Sequence, residues 1–191
     1  DCSTAIFDAT GEVIAQAEHI PMHLGSLLGV VREILARYPA AALAPGDVFV
    51  SNDPYTGGGT HLPDINLISP VFADGALWGF VANIAHHADR SGERIRTIWD
   101  EGLRITPIRL VQAGRVRDDV MELLLASFAL PGERRGDFRA QIAANRLGER
   151  RLGELIARYG AALVRAACEE SLAYGERKIR AAIARLPDGV Y

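Results

Sequence analysis

Two apolar, β-prone segments joined by a turn signal occupy the middle of the chain and constrain its fold more than any other feature. They run from Ile65 to Phe72 and from Leu77 to Ile84, with Ala73-Asp74-Gly75 between them. Asp and Gly adapt readily to tight turns, and apolar runs of this length on either side of them are typical of a β-hairpin. Antiparallel pairing about this turn makes partner positions sum to roughly 148 or 149. The sequence therefore predicts a hairpin in the first half of the chain.

The predicted hairpin brings three metal-binding residue types to its open end. Asp64 is expected to face Ile84 or Ala85, one or two residues before His86, and His61 precedes the first strand at the same end. Because cross-strand Cβ atoms lie about 5 Å apart, His61, Asp64 and His86 are predicted to converge. Two imidazoles and one carboxylate suit Zn, Mn or Fe(II) and leave positions open for water or substrate. The simpler alternative is that these polar side chains only satisfy a buried turn, but a cluster of three favours a metal.

Polar residues near the three candidate ligands are expected to support the metal site. Strand alternation turns His87 away from His86, so we do not count both as ligands. Asp53 and Asp89 are candidates for accepting a hydrogen bond from a ligand imidazole. Glu101 and Arg104 are further candidates for substrate contact, although a surface ion pair is the simpler interpretation.

A run of three glycines, Gly57 to Gly59, stands just before Thr60 and His61. Glycine lets the backbone approach a ligand closely or adopt positive φ. No Gly-Lys-Ser/Thr follows, so the run is not a phosphate-binding P-loop. A flexible connector is the alternative interpretation of this segment.

Length, charge and apolar content limit the class of protein. The chain has 191 residues, of which 49% are hydrophobic, and a net charge of −3. These values suit one globular domain or a large piece of a bigger protein and argue against a nucleic-acid-binding surface. No apolar run approaches the ~18 residues that span a bilayer, and no signal-peptide pattern opens the chain. Two cysteines make no disulfide framework, so a cytoplasmic location is predicted.

The order of apolar patterns predicts an α+β fold with antiparallel β-hairpins in the N-terminal half and helices in the C-terminal half. We expect a β-rich metal-site region at 1–117 and a helical region at 118–191, together forming one structural unit. The first region contains one helix, Leu24 to Tyr38, whose apolar residues recur at helical spacing. Before it, His19 and His23 are four residues apart, but Pro21 argues against a helix there. That segment is interpreted as a loop, with a role at the rim of the site as the alternative. Both chain ends look cut, so a fragment of a larger protein is expected.

The chain resembles the hydantoinase B/oxoprolinase family in several motifs that follow one another in order along its length. These are Cys2–Asp8, His19–Ser26, Asn52–Tyr55, Gly58–Asp64, Ala85–Asp89 and Glu101–Ile105. Members of this family are B-type subunits or domains of ATP-dependent 5-oxoprolinases, N-methylhydantoinases and acetone or acetophenone carboxylases. They are several hundred residues long and carry a longer glycine-rich segment after the position of Asp89.

The resemblance implies a partner, a cofactor and a reaction. The B-type subunit works in a hetero-oligomer with an A-type, actin-like ATPase subunit that binds ATP and phosphorylates the substrate. In acetone carboxylase relatives the B-type subunit holds manganese, and the ligand pattern matches His61, Asp64 and His86. We therefore expect manganese, with zinc or iron as alternatives, and neither a nucleic-acid nor a membrane partner.

The expected activity is ATP-dependent opening of a cyclic amide such as 5-oxoproline or a hydantoin. The metal would polarise the activated carbonyl or activate water. We expect Asp53, His87 and Asp89 to orient ligands or move protons. We expect Gly58, Gly59 and Thr60 to bind the substrate. The alternatives are the B-type subunit of an ATP-dependent ketone carboxylase and a scaffold fragment without catalytic activity.

Overall fold

A seven-stranded antiparallel sheet forms the centre of the structure. The structure is a computed structural model that describes residues 1–17, 19–23, 25–56, 58–88, 95–187 and 189. The strands occur in the spatial order β2-β1-β5-β4-β3-β6-β7. Their bounds are β1 Cys2–Asp8, β2 Val13–Gln16, β3 Val48–Ser51, β4 Asp64–Ala73, β5 Ala76–His86, β6 Ile108–Gln112 and β7 Arg115–Val116.

The longer helices follow the sheet in the sequence. The helices are α1 Val30–Arg37, α2 Ile98–Glu101, α3 Asp118–Leu125, α4 Pro131–Tyr159 and α5 Ala161–Ile183, and two short 3₁₀ turns lie at Pro21–His23 and Ala40–Ala42. The predicted α+β class, with antiparallel strands first and helices second, is confirmed. The division into regions at residue 117 stays a prediction. Within the described residues, no helix is both long and apolar enough to cross a membrane.

Side-chain alternation along β4 and β5 gives the sheet two apolar faces. Ile65 and Leu67 pack with α3 and the start of α4, whereas Ile68 and Phe80 pack with α1. Alternate residues of a strand point to opposite faces, so one hairpin supplies both cores. Burying each such side chain stabilises the fold by about 1.5–3 kcal/mol. The hairpin is therefore held rigidly from both sides.

The register of the β4–β5 hairpin corrects the sequence prediction. Asp64 pairs with His86, not with Ile84 or Ala85. The strands turn through Asp74 and Gly75, whose φ values of 51° and 78° suit a two-residue hairpin turn. A bulge between Val71 and Phe72 then shifts the pairing. Because the bulge places one extra residue in β5, it carries His86 to the position opposite Asp64.

The predicted helix over Leu24–Tyr38 is shorter in the structure. α1 begins at Val30 and ends at Arg37. Gly25 and Gly29 adopt φ values of 90° and 88°, which lie outside the helical region and delay the start of the helix. Leu27 is nevertheless buried in the same core. The apolar pattern thus predicted the burial of Leu27, Val31 and Ile34 but overestimated the helix length, and Leu28, from the same pattern, is 57% exposed. Leu24 lies outside the described residues.

Candidate metal centre

His61, Asp64 and His86 meet at the open end of the β4–β5 hairpin. Their potential ligand atoms all lie within 4.8 Å of one another. The two imidazole rings have centroids 4.9 Å apart and an interplanar angle of 36°. His61 Nε2 is 3.8 Å from Asp64 Oδ1. The convergence predicted from the sequence is therefore present in the structure.

The Asp64 carboxylate has one satisfied oxygen and one unsatisfied oxygen. Oδ2 accepts hydrogen bonds from the Thr60 backbone N–H at 3.1 Å and from the Thr60 hydroxyl at 2.6 Å. Oδ1 is buried and has no hydrogen-bond partner in the described structure. Because an unpaired buried carboxylate oxygen is costly, this atom requires a cation or another donor. Thr60 thus fixes the carboxylate in the orientation that directs Oδ1 at the two histidines.

A third imidazole, that of His23, also approaches Asp64 Oδ1. It comes from a segment that precedes the hairpin in the sequence. His23 Nε2 lies 3.8 Å from Asp64 Oδ1, and both side chains are 1% exposed. Its Nδ1 is 3.2 Å from Ser3 Oγ, which fixes the ring orientation. Sequence reasoning assigned His23 only a weaker role at the rim. The spacing of the two early histidines was the available signal, but the contact with Asp64 depends on tertiary packing.

The glycines beside Thr60 let the backbone pass close to Asp64. Gly58 and Gly59 have φ values of 118° and 97°. A Cβ on Gly59 would lie 3.1 Å from the Asp64 carbonyl oxygen and 3.2 Å from the Asp64 Cβ. Glycine is needed here for both reasons. Substrate binding by Gly58, Gly59 and Thr60 stays a prediction, whereas the contact of Thr60 with Asp64 is observed.

His87 lies on the other face of the sheet from the three clustered residues. Its Nε2 is 3.0 Å from Gln141 Oε1, and its ring packs against Phe128 and Phe138. Burial lowers the pKa of His87, so the ring is neutral at pH 7. The opposite orientations of His86 and His87 match the expectation from strand alternation. A catalytic role for His87 stays a prediction, and its observed contacts anchor the end of β5 against α4.

Asp53 forms an ion pair with Arg104 in which the acid is buried and the arginine is partly exposed. Asp53 is 1% exposed and accepts a hydrogen bond from the Tyr55 N–H at 3.1 Å. Arg104 Nε lies 3.7 Å from Asp53 Oδ2. Glu101 instead accepts a hydrogen bond from the Leu62 N–H at 2.9 Å, so Arg104 and Glu101 serve different partners. Asp89, the remaining candidate, lies outside the described residues.

The donor set fits a divalent transition-metal ion. It offers two imidazole nitrogens and one carboxylate oxygen, Asp64 Oδ1, which has no hydrogen-bond partner among the described residues; Thr60 holds the other oxygen of that carboxylate. Such ions accept this mixture of ligands, and a hydrogen-bonded second oxygen is the usual support for a ligand carboxylate. His61 and His86 are only partly buried, which leaves an approach for a small molecule.

A profile of the hydantoinase B/oxoprolinase family matches residues 1–191. The β subunit of caprolactamase from Pseudomonas jessenii is 37% identical over 198 residues, which cover 100% of this chain and 34% of that protein. The 5-oxoprolinase 1 of Arabidopsis thaliana is 38% identical over 185 residues, which cover 87% of this chain and 14% of that protein. The chain therefore spans 34% and 14% of the lengths of these two relatives.

Solved structures show the same fold. The crystal structure of the ATP-dependent caprolactamase from Pseudomonas jessenii matches with a TM-score of 0.91 and 37% identity, over 99% of this chain and 34% of that one. The nucleotide-free structure of acetone carboxylase matches with a TM-score of 0.75 and 20% identity, over 89% of this chain and 23% of that one, which is a likeness of fold. The profile match over all described elements and the relatives above 30% identity agree with the resemblance found in the sequence. The chain belongs to the hydantoinase B/oxoprolinase family.

Proposed function

We propose that this chain is the metal-binding part of a B-type subunit that opens cyclic amides such as 5-oxoproline or hydantoins with the help of an ATP-dependent partner. The observation that carries the proposal is the buried Oδ1 of Asp64, which has no hydrogen-bond partner among the described residues and lies 3.8 Å from His61 Nε2. Relatives named 5-oxoprolinase and caprolactamase support cyclic amides as the substrate class. The name of the caprolactamase β subunit supports the need for a partner.

The residues around Asp64 have distinct tasks in this proposal. His61, Asp64 and His86 would hold the divalent ion, with manganese preferred and zinc or iron as alternatives. When bound, the ion supplies Lewis-acid polarisation of a carbonyl oxygen and lowers the pKa of water. Thr60 keeps the Asp64 carboxylate from rotating, because it bonds the other oxygen through both its hydroxyl and its N–H.

Asp53 is the proposed proton carrier. The β3–β4 pairing places Ser51 opposite Asn66, and Asp53 follows Ser51 by two residues, just as Asp64 precedes Asn66 by two. A carboxylate in that position can accept a proton as water attacks the ring and return it to the leaving nitrogen. Arg104 Nε, 3.7 Å from Asp53 Oδ2, would hold that carboxylate in a fixed orientation.

In this proposal the partner subunit, and not this chain, binds and uses ATP. The sequence contains no P-loop pattern, since no Gly-Lys-Ser/Thr follows the glycine run. Phosphorylation of the amide oxygen by an A-type, actin-like subunit would make the ring carbon more electrophilic. Water would then add to that carbon, the C–N bond would break with a proton passing to the nitrogen, and hydrolysis of the resulting acyl phosphate would release inorganic phosphate. The chain described here would then position the activated ring and manage the protons.

The test combines metal analysis with turnover in the complete complex. Purified full-length protein is expected to retain about one transition-metal ion per chain, and the complex with its ATPase partner is expected to hydrolyse 5-oxoproline or N-methylhydantoin with ATP. Asp64→Asn should abolish both properties, whereas Asp74→Asn, in the exposed hairpin turn, should preserve both. Turnover of a ketone with bicarbonate, and of neither ring, would replace the hydrolase proposal by a carboxylase. Full activity of the Asp64→Asn complex would refute it.

A further inference from the structure

We propose that Arg104 binds an oxyanion, either a carboxylate or a phosphoryl group, on the molecule that reacts at the candidate metal centre. This inference rests on the proposed function, because it places the ligand of that site. It adds a binding group that lies outside the His–Asp–His cluster.

The Arg104 guanidinium is held in place but is not satisfied. Its Nε lies 3.7 Å from Asp53 Oδ2, and its Cζ lies 5.7 Å from the centroid of the Tyr55 ring and 5.1 Å from that of Trp99. The side chain is 34% exposed. A guanidinium has five N–H donors. Within the described residues, none of them is donated in a hydrogen bond that meets ordinary geometry.

Arg109 also contacts an acid and two aromatic rings, and it serves as a structural comparison for Arg104. Its Nε lies 3.3 Å from Asp47, and its Cζ lies within 5.4 Å of the Tyr38 and Phe49 ring centroids. Its Nη2 also donates to the Ala42 carbonyl at 2.7 Å, and the side chain is only 16% exposed. That guanidinium therefore has a backbone acceptor and little access to solvent.

The surroundings of Arg104 are open by comparison. Trp99 is 64% exposed and Tyr55 is 71% exposed, so their rings flank the guanidinium without covering it. Cation–π contact fixes the plane of an arginine while leaving its N–H edge available. Two aromatic rings and a buried acid thus orient an arginine whose donors remain free for a ligand.

The position of Arg104 connects it with the metal centre. Ser51, the last residue of β3, pairs with Asn66 of β4, and on the other side Asn52 is tied to Ile105 by the bonds Asn52 N–H to the Ile105 carbonyl at 3.0 Å and Ile105 N–H to Asn52 Oδ1 at 2.6 Å. Neighbouring extended segments are about 4.8 Å apart, so the segment that carries Arg104 lies about two such spacings, on the order of 10 Å, from the start of β4. A small ring with a charged substituent spans a distance of that order.

Hydrogen bonds tie the Arg104 segment to the loop that carries His61. Asn52 Nδ2 donates to the Leu62 carbonyl at 2.7 Å and to the Leu103 carbonyl at 2.9 Å. Glu101 accepts from the Leu62 N–H. Leu62 directly follows His61, and Leu103 directly precedes Arg104. The arginine and the histidine are therefore held in a fixed relation by one short network.

The chemistry of the guanidinium defines the ligand class. Its planar edge presents two parallel N–H groups that match the two oxygens of a carboxylate or a phosphoryl group, which an ammonium cannot do. Two sources of such a group fit the proposed function. One is a carboxylate on the cyclic amide itself, as in 5-oxoproline, and the other is the phosphoryl group added by the partner.

Calorimetric titration of the metal-free, full-length protein with inorganic phosphate and with 5-oxoproline tests the inference. Arg104→Gln is expected to weaken binding of at least one of these anions by tenfold or more. Arg104→Lys should give an intermediate loss of affinity, because lysine keeps the positive charge but lacks the two parallel N–H groups of the guanidinium. The matched control is Arg109→Lys, which should bind as the wild type does. Wild-type affinity for both anions in the Arg104→Gln protein would overturn the inference.

A second variant covers the case in which Arg104→Gln fails to fold. Trp99→Ala removes an exposed ring and leaves the Arg104–Asp53 pair intact, and it is expected to weaken anion binding several-fold through loss of orientation. If Arg104→Lys and Trp99→Ala both bind the anions normally, the inference is wrong. If these variants lose only co-purification with the ATPase subunit, the patch is a docking surface and the anion site is refuted.

Turnover by the complete complex separates the two sources. If the ligand is a substrate carboxylate, Arg104→Gln raises the KM for 5-oxoproline and leaves N-methylhydantoin, which has no carboxylate, unaffected. If it is the phosphoryl group, kcat/KM falls for both substrates. Metal content is measured in parallel and should equal that of the wild type. Absence of metal from the wild-type protein would contradict the proposed function alone, since the anion titrations use metal-free protein.

Discussion

Asp64 and His86 stand directly opposite each other in the ladder between β4 and β5. Directly paired residues have Cβ atoms about 5 Å apart, so the hairpin itself brings the carboxylate and the imidazole together. His61 joins them from the turn just before β4. The candidate ligands therefore come from one local unit, whose two faces are fixed by α1 on one side and α4 on the other.

Asp64→Asn is expected to lower the affinity for Mn²⁺ or Zn²⁺ by on the order of 100-fold or more, because the amide keeps the shape but loses the charge of the central ligand. Equilibrium dialysis with elemental analysis measures the effect. Asp74→Asn, in the exposed turn of the same hairpin, serves as the control and should bind metal normally. Unchanged affinity in Asp64→Asn would show that the cluster does not hold the ion.

His23→Gln is expected to weaken metal binding by about 10- to 100-fold without unfolding the protein, because the His23 ring faces the unpaired oxygen of Asp64. The spectrum of the Co²⁺-substituted protein should also change, since the orientation of a ligand carboxylate affects the ligand field. His19→Gln, on the exposed side of the same segment, is the control. Normal metal affinity and an unchanged spectrum in His23→Gln would show that His23 only packs in the core and does not affect the metal site.

The sequence was sufficient for features that depend on local pattern. The Asp74-Gly75 turn and its two apolar runs predicted the hairpin, and that hairpin carried His61, Asp64 and His86 to one end. The bulge between Val71 and Phe72 adds one residue to β5, and the alternation of apolar residues did not predict it. The predicted register was therefore wrong by one or two residues.

Long-range features were not predictable in the same way. His23 reaches Asp64 only because the 3₁₀ turn that ends at His23 folds over the sheet, and Arg104 meets Asp53 across two chain segments. The apolar spacing over 24–38 predicted a long helix, but Gly25 and Gly29 take positive φ and shorten it. Tertiary packing decided each of these outcomes.

Gly79→Ala is expected to destabilise the protein by about 3 kcal/mol or more, because a Cβ there would lie 2.2 Å from the Phe7 carbonyl oxygen in the neighbouring strand. Urea denaturation measures the change in the free energy of unfolding. Gly153→Ala, in α4, is the matched control, because its Cβ would meet nothing within 4 Å and alanine favours a helix. Equal stability of the two variants would contradict the tight β1–β5 contact.

Glu149→Gln is expected to stabilise the protein at pH 7 but not at pH 4. Burial raises the pKa of the Glu149 carboxyl above its ordinary 4.5, against the opposing effects of Ser69 and Arg146. The folded state therefore holds the proton more tightly than the unfolded state, and the free energy of unfolding falls as the pH rises from about 4.5 through the folded-state pKa. Denaturation of the wild type and the variant at both pH values measures the difference in their free energy of unfolding. A stabilisation by Glu149→Gln that is larger at pH 4 than at pH 7 would contradict the prediction.

Anomalous X-ray scattering from crystals of the full-length protein grown with Mn²⁺ tests the metal centre most directly. We predict one strong peak about 2.2 Å from Asp64 Oδ1 and from a ring nitrogen of both His61 and His86. A map with no peak between these three side chains, or with manganese bound only elsewhere, would contradict the proposal.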